Sequence, residues 1–234
     1  MEVILKNRVT DVEFKRFFEL LDFNRGKHNV IDVFRDFVVM YAIAIKNAVN
    51  YEQKYEDEYL KIVQKYSKEE IEIILQLIDE LIYLLLKGDK LRDVLGEIYQ
   101  QIGANSNRIG QVFTPRHIAN AMAKMILKTE ELSKKEYISI GDPTCGAGVL
   151  LIEAANVLNE DNIDYKKKVF MIGQDLDFIC VCMTYIQLST YGIPAAVIYG
   201  NTLTQETITT FYTPQFVIGK WYEKLRKKEN KNEN

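Results

Sequence analysis

A short segment rich in small residues carries the strongest chemical signal in the chain, Asp142-Pro-Thr-Cys-Gly-Ala-Gly148. It lies between a β-branched stretch and an apolar stretch with helical spacing, so we predict a turn that joins a strand to a helix. Its glycines let the backbone approach a ligand closely, and the first amides of the helix suit a carboxylate or a phosphate. Leu151 stands where a dinucleotide-binding pattern needs its third glycine. An ordinary glycine-rich turn without a ligand is the alternative.

Two further polar side chains end the next two predicted strands. Asp175 follows the second strand, where an acid in an α/β sheet commonly binds both hydroxyls of a ribose. Asp177 suits the N-cap of the helix that comes next. Asn201 follows the third strand, where a polar side chain can reach the edge of an adenine ring. Together with Asp142, these strand ends predict a site for a nucleoside that carries a charged tail.

The elements that must position these residues alternate along the second half of the chain. We predict strands over 137–140, 169–172 and 196–199, and helices over 148–158 and 178–191. Short β-branched strands that alternate with helices are typical of an α/β fold with a doubly wound parallel sheet. In such a sheet the ligand crevice lies at the carboxyl ends of the strands.

A further helix is predicted ahead of the first strand. Thr114 is its expected N-cap and Pro115 its first residue. Its predicted apolar face consists of Ile118, Ala121, Met122, Met125 and Ile126.

The first hundred residues have the periodicity of helices, and no proline occurs before Pro115. Capping boxes are predicted at Thr10–Glu13 and at Ser67–Glu70. We therefore predict a helical domain over 1–104, an α/β domain over 105–219 and a basic tail over 220–234. The tail has a net charge of +3, which suits contacts with phosphates, although a solvated, frayed terminus is the reading we favour.

Composition excludes several classes of protein. The 234 residues are 47% hydrophobic and carry a net charge of −3, so disorder and a global basic field for nucleic acid are both excluded. Three cysteines and two histidines are too few for a disulfide framework and argue against a metal site. The apolar runs at 37–45 and 73–86 are shorter than the ~20 residues that span a bilayer. With no targeting signal at the N-terminus, we expect a cytoplasmic protein without a membrane partner.

Four segments, taken in order, resemble the N-6 adenine DNA methylase family, which contains the modification subunits of type I restriction systems. They are Gly110-Gln-Val-Phe-Thr-Pro115, Asp142–Gly148, Gly173-Gln-Asp175 and Gly200-Asn-Thr-Leu203. The helical stretch Leu91–Tyr99 is also similar to the helix that precedes the first segment in that family. The resemblance covers roughly residues 90–203. It implies a methyltransferase fold, S-adenosylmethionine (SAM) as cofactor and adenine in DNA as substrate.

The resemblance also implies which residues bind the cofactor. Asp175 would bind the ribose and Asn201 the adenine, and the first two segments would hold the methionine end through Gln111, Phe113, Thr114, Pro115, Asp142, Pro143, Thr144, Cys145, Gly146 and Gly148. The family usually has Glu at position 175 and Asp at position 201. Here the first difference shortens the reach by one carbon, and the second replaces a charged acceptor by a neutral amide.

The catalytic tetrapeptide of the family, (Asn/Asp/Ser)-Pro-Pro-aromatic, is missing, because the chain contains no Pro-Pro dipeptide. A degenerate candidate is Thr213-Pro214-Gln215-Phe216. In this hypothesis Phe216 stacks on a flipped base, while Thr213 and the Pro214 carbonyl orient its amine. The alternative is a strand, a turn and a short strand over 216–219 with no catalytic role.

A methylase sheet of this length leaves an exposed edge or flank, which proteins normally cover. We therefore expect association with a second copy or with a partner chain, and DNA contact either directly or through that partner. Three functions stay open at this point. They are a SAM-dependent DNA adenine-N6 methyltransferase, a SAM-binding regulatory or assembly subunit, and an interaction module built on the helical half.

Overall fold

The computed structural model describes residues 12–22, 27–103, 113–127 and 135–232. After a 3₁₀ turn over Val12–Phe14, the first part of the chain is helical, as the sequence predicts. Its helices are α1 (Lys15–Leu21), α2 (Val30–Val49), α3 (Gln53–Val63), α4 (Lys68–Leu86) and α5 (Val94–Gln101).

Helix α4 begins at the predicted capping box. The backbone N–H of Glu70 donates to Ser67 Oγ over 3.3 Å, and the backbone N–H of Ser67 donates to Glu70 Oε2 over 2.7 Å. This exchange satisfies two amides that the first turn of a helix leaves without partners. The other predicted box includes Thr10, which lies outside the described residues.

The second half of the described chain forms a mixed α/β layer structure. Helix α6 (Arg116–Ile126) precedes strand β1 (Ile138–Asp142). The elements that follow are α7 (Val149–Glu160), α8 (Tyr165–Lys168), β2 (Val169–Asp175), α9 (Phe178–Thr190), β3 (Ala195–Asn201), β4 (Glu206–Tyr212), α10 (Pro214–Ile218) and α11 (Trp221–Asn232).

The sheet has the strand order β1-β2-β3-β4. The first three strands are parallel, and their register pairs Asp142 with Gly173 and Asp175 with Tyr199. Parallel pairing brings the carboxyl ends of β1, β2 and β3 to one edge of the sheet. The α/β class and the parallel strands predicted from the sequence are thereby confirmed.

Strand β4 departs from the predicted parallel sheet, because it runs antiparallel to β3. Residues 202–205 alone connect the two strands, and so short a connection closes a hairpin, whereas a parallel crossover needs a dozen residues or more.

The strand predicted over 216–219 is also wrong, since Pro214 opens helix α10 there. Proline suits the first turn of a helix because its fixed φ is already helical.

The two faces of the sheet are covered differently. Helix α7 contacts β1, while α9 contacts β2 and β3, and these helices share one apolar core with the N-terminal helices. The opposite face holds a smaller cluster in which Phe170 and Ala196 pack against Phe216 and Trp221. Trp221 is fully buried at the start of α11, so the predicted solvated, frayed tail is wrong at its beginning.

Helix α6 does not bury the apolar face that the sequence predicts. Its buried residues are Ala119 and Ala123, which pack towards α7, and the predicted face is solvent-exposed, including Ile118, Met122, Met125 and Ile126. Small residues allow the two helices to approach closely. Helix α6 therefore packs on α7, the helix that contacts β1.

Among the helices of the described ranges, none is both long enough and apolar enough to cross a membrane.

Candidate functional site

An open crevice of about 640 Å³ lies at the carboxyl ends of β1, β2 and β3. Every predicted cofactor residue except three lines it: Phe113, Thr114, Asp142, Pro143, Thr144, Cys145, Gly146, Asp175 and Asn201. Gln111 lies outside the described residues. Pro115 and Gly148 lie just behind the lining, each as the N-cap of a helix. The remaining lining residues include Leu176, Cys180 and Leu203.

Asp142 is the buried carboxylate of the crevice, with 7% of its surface exposed. Its Oδ1 accepts a hydrogen bond from the backbone N–H of Thr144 over 3.1 Å. Its Oδ2 is buried and has no hydrogen-bond partner among the residues that the structure describes. Burial, together with the charge of Asp175, raises the pKa of Asp142 above its usual value. A buried acceptor of this kind suits a ligand that donates a hydrogen bond to it.

Asp175 ties the second strand end to the glycine-rich turn. Its Oδ2 accepts from the backbone N–H of Gly146 over 2.9 Å, and its Oδ1 accepts from the N–H of Asp177 over 2.9 Å. Asp177 in turn accepts from the N–H of Ile179, which confirms its predicted role as the N-cap of α9. The carboxylate of Asp175 is thereby fixed in the crevice wall.

The turn between β1 and α7 needs its two glycines. Gly146 and Gly148 have φ of +54° and +98°, a left-handed conformation that favours glycine. A Cβ on Gly146 would lie 3.3 Å from the Phe113 ring, and one on Gly148 would lie 3.1 Å from Thr184 Oγ1. The backbone therefore approaches its neighbours closely on both sides of the turn.

Cys145 lies in the same turn, in surroundings that do not favour a nucleophile. Its side chain is buried, and burial raises the pKa of its thiol. A nucleophile would need a lowered pKa, since the thiolate is the reactive form. The backbone N–H of Cys145 donates to Gln174 O over 2.9 Å, which fixes the turn against β2.

The segment that leads into α6 forms one wall of the crevice. Phe113 packs edge-to-face on Tyr99, with ring centroids 5.8 Å apart, and contacts the turn near Gly146. Helix α6 begins at Arg116, so Pro115 is the N-cap and the predicted cap at Thr114 is shifted by one residue. A buried carboxylate on α7 holds α6 in place, since Glu153 accepts from Arg116 Nε over 2.8 Å.

Asn201 uses part of its amide for the turn that follows β3. Its Oδ1 accepts from the backbone N–H of Leu203 over 3.0 Å. Thr202 Oγ1 donates to the Pro143 carbonyl over 2.6 Å, which joins the ends of β3 and β1. The amide nitrogen of Asn201 is the part of this side chain left for a donor role toward a ligand.

The predicted catalytic residues Thr213, Pro214 and Phe216 do not come to the crevice. Thr213 is fully buried, where its hydroxyl donates to Ile193 O over 2.7 Å and accepts from the N–H of Ala195 over 2.9 Å. Ala195 begins β3 and Asn201 ends it, so roughly 20 Å separate the two ends at about 3.3 Å per residue. The hypothesis that these residues act at the crevice is therefore wrong, because the antiparallel β4 carries them to the opposite end of the sheet.

Some crevice residues were missed by the sequence-based reasoning. Leu176 and Leu203 line it with 63% and 95% of their surfaces exposed. An apolar residue directly after the strand-end acid was the available signal for Leu176. Thr184 and Gln187 contact the turn from α9 without lining the crevice. They gave no signal because they stand within a largely apolar helix.

The described residues contain no group of three or more His, Cys, Asp or Glu side chains that could hold a metal ion.

A model of the N-6 DNA methylase family matches residues 90–232, more than half of the chain. The chain belongs to the N-6 DNA methylase family. The family match begins at the segment before α5 and extends through α11, so it includes the whole crevice.

Part of this N-6 DNA methylase is similar to the type II restriction enzyme and methyltransferase RM.BcgI of Heyndrickxia coagulans. The two are 38% identical over 75 residues, which is 30% of this chain and 11% of the relative. The chain thus spans only a small part of that protein's length.

Two solved structures are similar to the chain at low TM-scores. One is a class I S-adenosylmethionine-dependent methyltransferase from Listeria monocytogenes, with 18% identity, a TM-score of 0.40, and coverage of 82% of this chain and 54% of the other. The other is a modification subunit of a type I restriction enzyme from Vibrio vulnificus YJ016. It has 19% identity, a TM-score of 0.32, and coverage of 58% of this chain and 26% of the other.

Proposed function

We propose that this N-6 DNA methylase binds SAM in the crevice and acts in methyl transfer to the N6 amine of adenine in DNA. The observation that carries the proposal is Asp142, a buried crevice carboxylate whose Oδ2 has no hydrogen-bond partner among the described residues. An ammonium group or a hydroxyl would satisfy that oxygen. Leaving it without a partner costs about 1–3 kcal/mol, which a donating ligand would recover.

The charge of the crevice supports a cationic ligand. Its described lining contains the carboxylates of Asp142 and Asp175 and no lysine or arginine. SAM carries an ammonium group, a sulfonium and two ribose hydroxyls, all of which suit carboxylates. A ligand with a phosphate would be repelled by the same two charges.

The chain's own residues would hold SAM from one end to the other. Asp142 and the turn over Gly146–Gly148 would bind the methionine end, with its carboxylate at the N-terminus of α7. Asp175 would bind the ribose hydroxyls. Leu176 offers an apolar surface for the adenine, beside the amide nitrogen of Asn201. When bound, SAM supplies an electrophilic methyl group, and the role of these residues is to orient it and to limit its contact with water.

A second candidate is a SAM-binding subunit that leaves methyl transfer to a partner chain. The observation that favours it is the position of Thr213 and Phe216, since both lie at the end of the sheet opposite to the crevice. A base-binding group would then have to come from another segment or another chain.

We also propose that the chain works in an assembly. Within the described residues β1 pairs only with β2, so its other edge offers free backbone groups. Helix α6, which packs on the helix that contacts β1, exposes Ile118, Met122, Met125 and Ile126. An open strand edge and an exposed apolar helix surface are each typical of a protein interface.

The binding half of the proposal is tested by comparing Asp142→Asn with Asp161→Asn in calorimetric titrations with SAM. Asp142→Asn is expected to weaken binding by about tenfold or more, because the buried charge that faces the ligand is lost. Asp161 is an exposed residue at the end of α7, so its variant should bind as the wild type does. Equal affinities for all three proteins would contradict the assignment of Asp142.

The transfer half is tested with tritiated-methyl SAM and unmethylated genomic DNA, followed by identification of the labelled base. Label on N6 of adenine would support the enzyme. If the wild type binds SAM but labels no DNA, also in the presence of candidate partner chains, the second candidate is the correct one.

A further inference from the structure

Helix α9 holds two consecutive carbonyl groups of the glycine-rich turn. Thr184 Oγ1 donates to Gly146 O over 2.8 Å, and Gln187 Nε2 donates to Ala147 O over 2.8 Å. The two side chains are three residues apart and therefore lie on the same face of α9. Both are fully buried, so neither hydrogen bond can be replaced by one to water.

Thr184 is hydrogen-bonded to Gly146, which is also hydrogen-bonded to Asp175, the acid at the end of β2. Gly146 accepts from Thr184 through its carbonyl and donates through its N–H to Asp175 Oδ2. The position of Gly146 between α9 and Asp175 is thus fixed from both sides. Gly148 leaves the space that Thr184 occupies, since a Cβ there would lie 3.1 Å from the hydroxyl.

Gln187 is itself held by the N-terminus of α5. Its Nε2 also donates to Asp93 Oδ1 over 2.8 Å, and its Oε1 accepts from the backbone N–H of Leu95 over 3.1 Å. Asp93 Oδ1 accepts in addition from the N–H of Gly96, as the N-cap of α5. Both hydrogens of the amide are used, so its orientation is fixed by its partners.

We infer that Thr184 and Gln187 are positioning residues that hold the glycine-rich turn in its ligand-binding conformation, and that Asp93 couples the turn to the N-terminus of α5 through Gln187. The inference rests on the proposed function, because the turn is taken as the SAM-binding turn. None of the three residues lines the crevice. They act on the ligand through the backbone of Gly146 and Ala147.

The test at Thr184 compares Thr184→Val, Thr184→Ser and Thr190→Val. Valine keeps the shape of threonine without the hydroxyl, and serine keeps the hydroxyl. Thr190 is the matched control, because its hydroxyl donates to Ile186 O of the same helix. Each variant is measured for SAM affinity by calorimetry, for thermal stability, and for hydrogen exchange in the peptide that covers residues 142–148.

Thr184→Val is expected to weaken SAM binding by about tenfold, which is the range of one buried hydrogen bond, and to speed amide exchange in the turn. Thr184→Ser should restore both properties to near the wild-type values. Thr190→Val should change neither, whatever its effect on thermal stability. A loss of thermal stability in Thr184→Val with unchanged affinity and unchanged exchange in the turn would overturn the inference.

The coupling to α5 is tested with Asp93→Ala and Asp93→Asn. Alanine leaves one N–H of Gln187 without its acceptor, whereas asparagine keeps an acceptor oxygen. Faster exchange in the turn is expected for Asp93→Ala and not for Asp93→Asn. Equal exchange in the two variants would overturn the coupling, and this pair decides the case if Thr184→Val does not fold.

Failure of the proposed function would be visible separately. If the wild type binds no SAM, the function proposed for the crevice fails. The exchange measurements would still support or overturn the positioning role, because they do not require a ligand.

Discussion

Asp93 and Asp142 are both buried aspartates, but they have different surroundings. Asp93 accepts hydrogen bonds from Gln187 and Gly96 in the core, whereas Asp142 keeps one oxygen without a partner among the described residues. A core aspartate that accepts hydrogen bonds from the backbone and from a neighbouring core side chain serves the fold. A crevice aspartate with one carboxylate oxygen that has no partner among the described residues is better placed to bind a ligand.

The first prediction concerns the pH dependence of stability. Burial raises the pKa of Asp93 to about 6, from a usual value of 3.8, against the opposing effect of its hydrogen bonds. A folded-state pKa above the unfolded value means that the contribution of Asp93 to stability is fully present below the unfolded value and is lost as pH rises through about 6. The wild type should therefore lose on the order of 2 kcal/mol at this group between pH 4.5 and 8.

Asp93→Asn cannot titrate, so its stability should vary less over the same interval. Urea unfolding of both proteins at several pH values measures the difference. Parallel curves for the two proteins would show that Asp93 does not titrate in this range.

The second prediction concerns the cysteines. Cys145, Cys180 and Cys182 are all buried, and burial raises the pKa of the Cys145 and Cys182 thiols. A thiol-specific reagent at pH 8 should modify none of them in the folded protein, with rates at least about tenfold below those in urea. Rapid reaction of one thiol with the folded protein would contradict the burial of that residue.

At the scale of the elements, the strand ends were predictable and the hairpin was not. Asp142, Asp175 and Asn201 each follow a β-branched stretch, so the sequence alone places them at one edge of a parallel sheet. The direction of β4 depends on pairing across a connection of four residues, over 202–205. That pairing leaves no periodic signal, since the side chains of a strand alternate in the same way in either direction.

The same limit explains the error at α10. A partial match to a catalytic tetrapeptide at Thr213–Phe216 says nothing about which end of the sheet the segment reaches. The same limit applies to the predicted burial of the apolar face of α6. The periodicity identifies an apolar face but does not show whether another element of the chain covers it.

The third prediction tests the corrected role of α10. Phe216 packs on Phe170 and Tyr212, with ring centroids 5.5 Å and 4.6 Å away. Phe216→Leu should lower the free energy of unfolding by about 1 kcal/mol through looser packing. It should leave SAM affinity unchanged, because the crevice lies at the other end of the sheet. A selective loss of SAM binding with unchanged stability would return Phe216 to the site.

At the scale of the whole molecule, the helical region and the sheet share a continuous core. Helix α2 contacts α9, and α9 contacts β2 and β3, so the N-terminal helices pack behind the crevice. The sequence predicts both parts but not this contact. The predicted boundary at residue 104 lies outside the described residues.

The fourth prediction concerns association through the edge of β1 and the exposed side of α6. Met125 and Ile126 are 82% and 72% exposed, so changing both to lysine should alter folding stability by no more than about 0.5 kcal/mol each. If this surface mediates self-association, sedimentation should show the wild type above monomer mass and the double variant as a monomer. Identical sedimentation of the two proteins would exclude self-association through this surface.

The most direct test of the central claim is a calorimetric titration of the wild type and of Asp175→Ala with SAM and with its demethylated product. The proposed site predicts that the wild type binds both nucleosides and that Asp175→Ala, still folded by circular dichroism, loses at least about tenfold in affinity for each. No binding by the folded wild type, or equal binding by the variant, would contradict the assignment of the crevice to SAM.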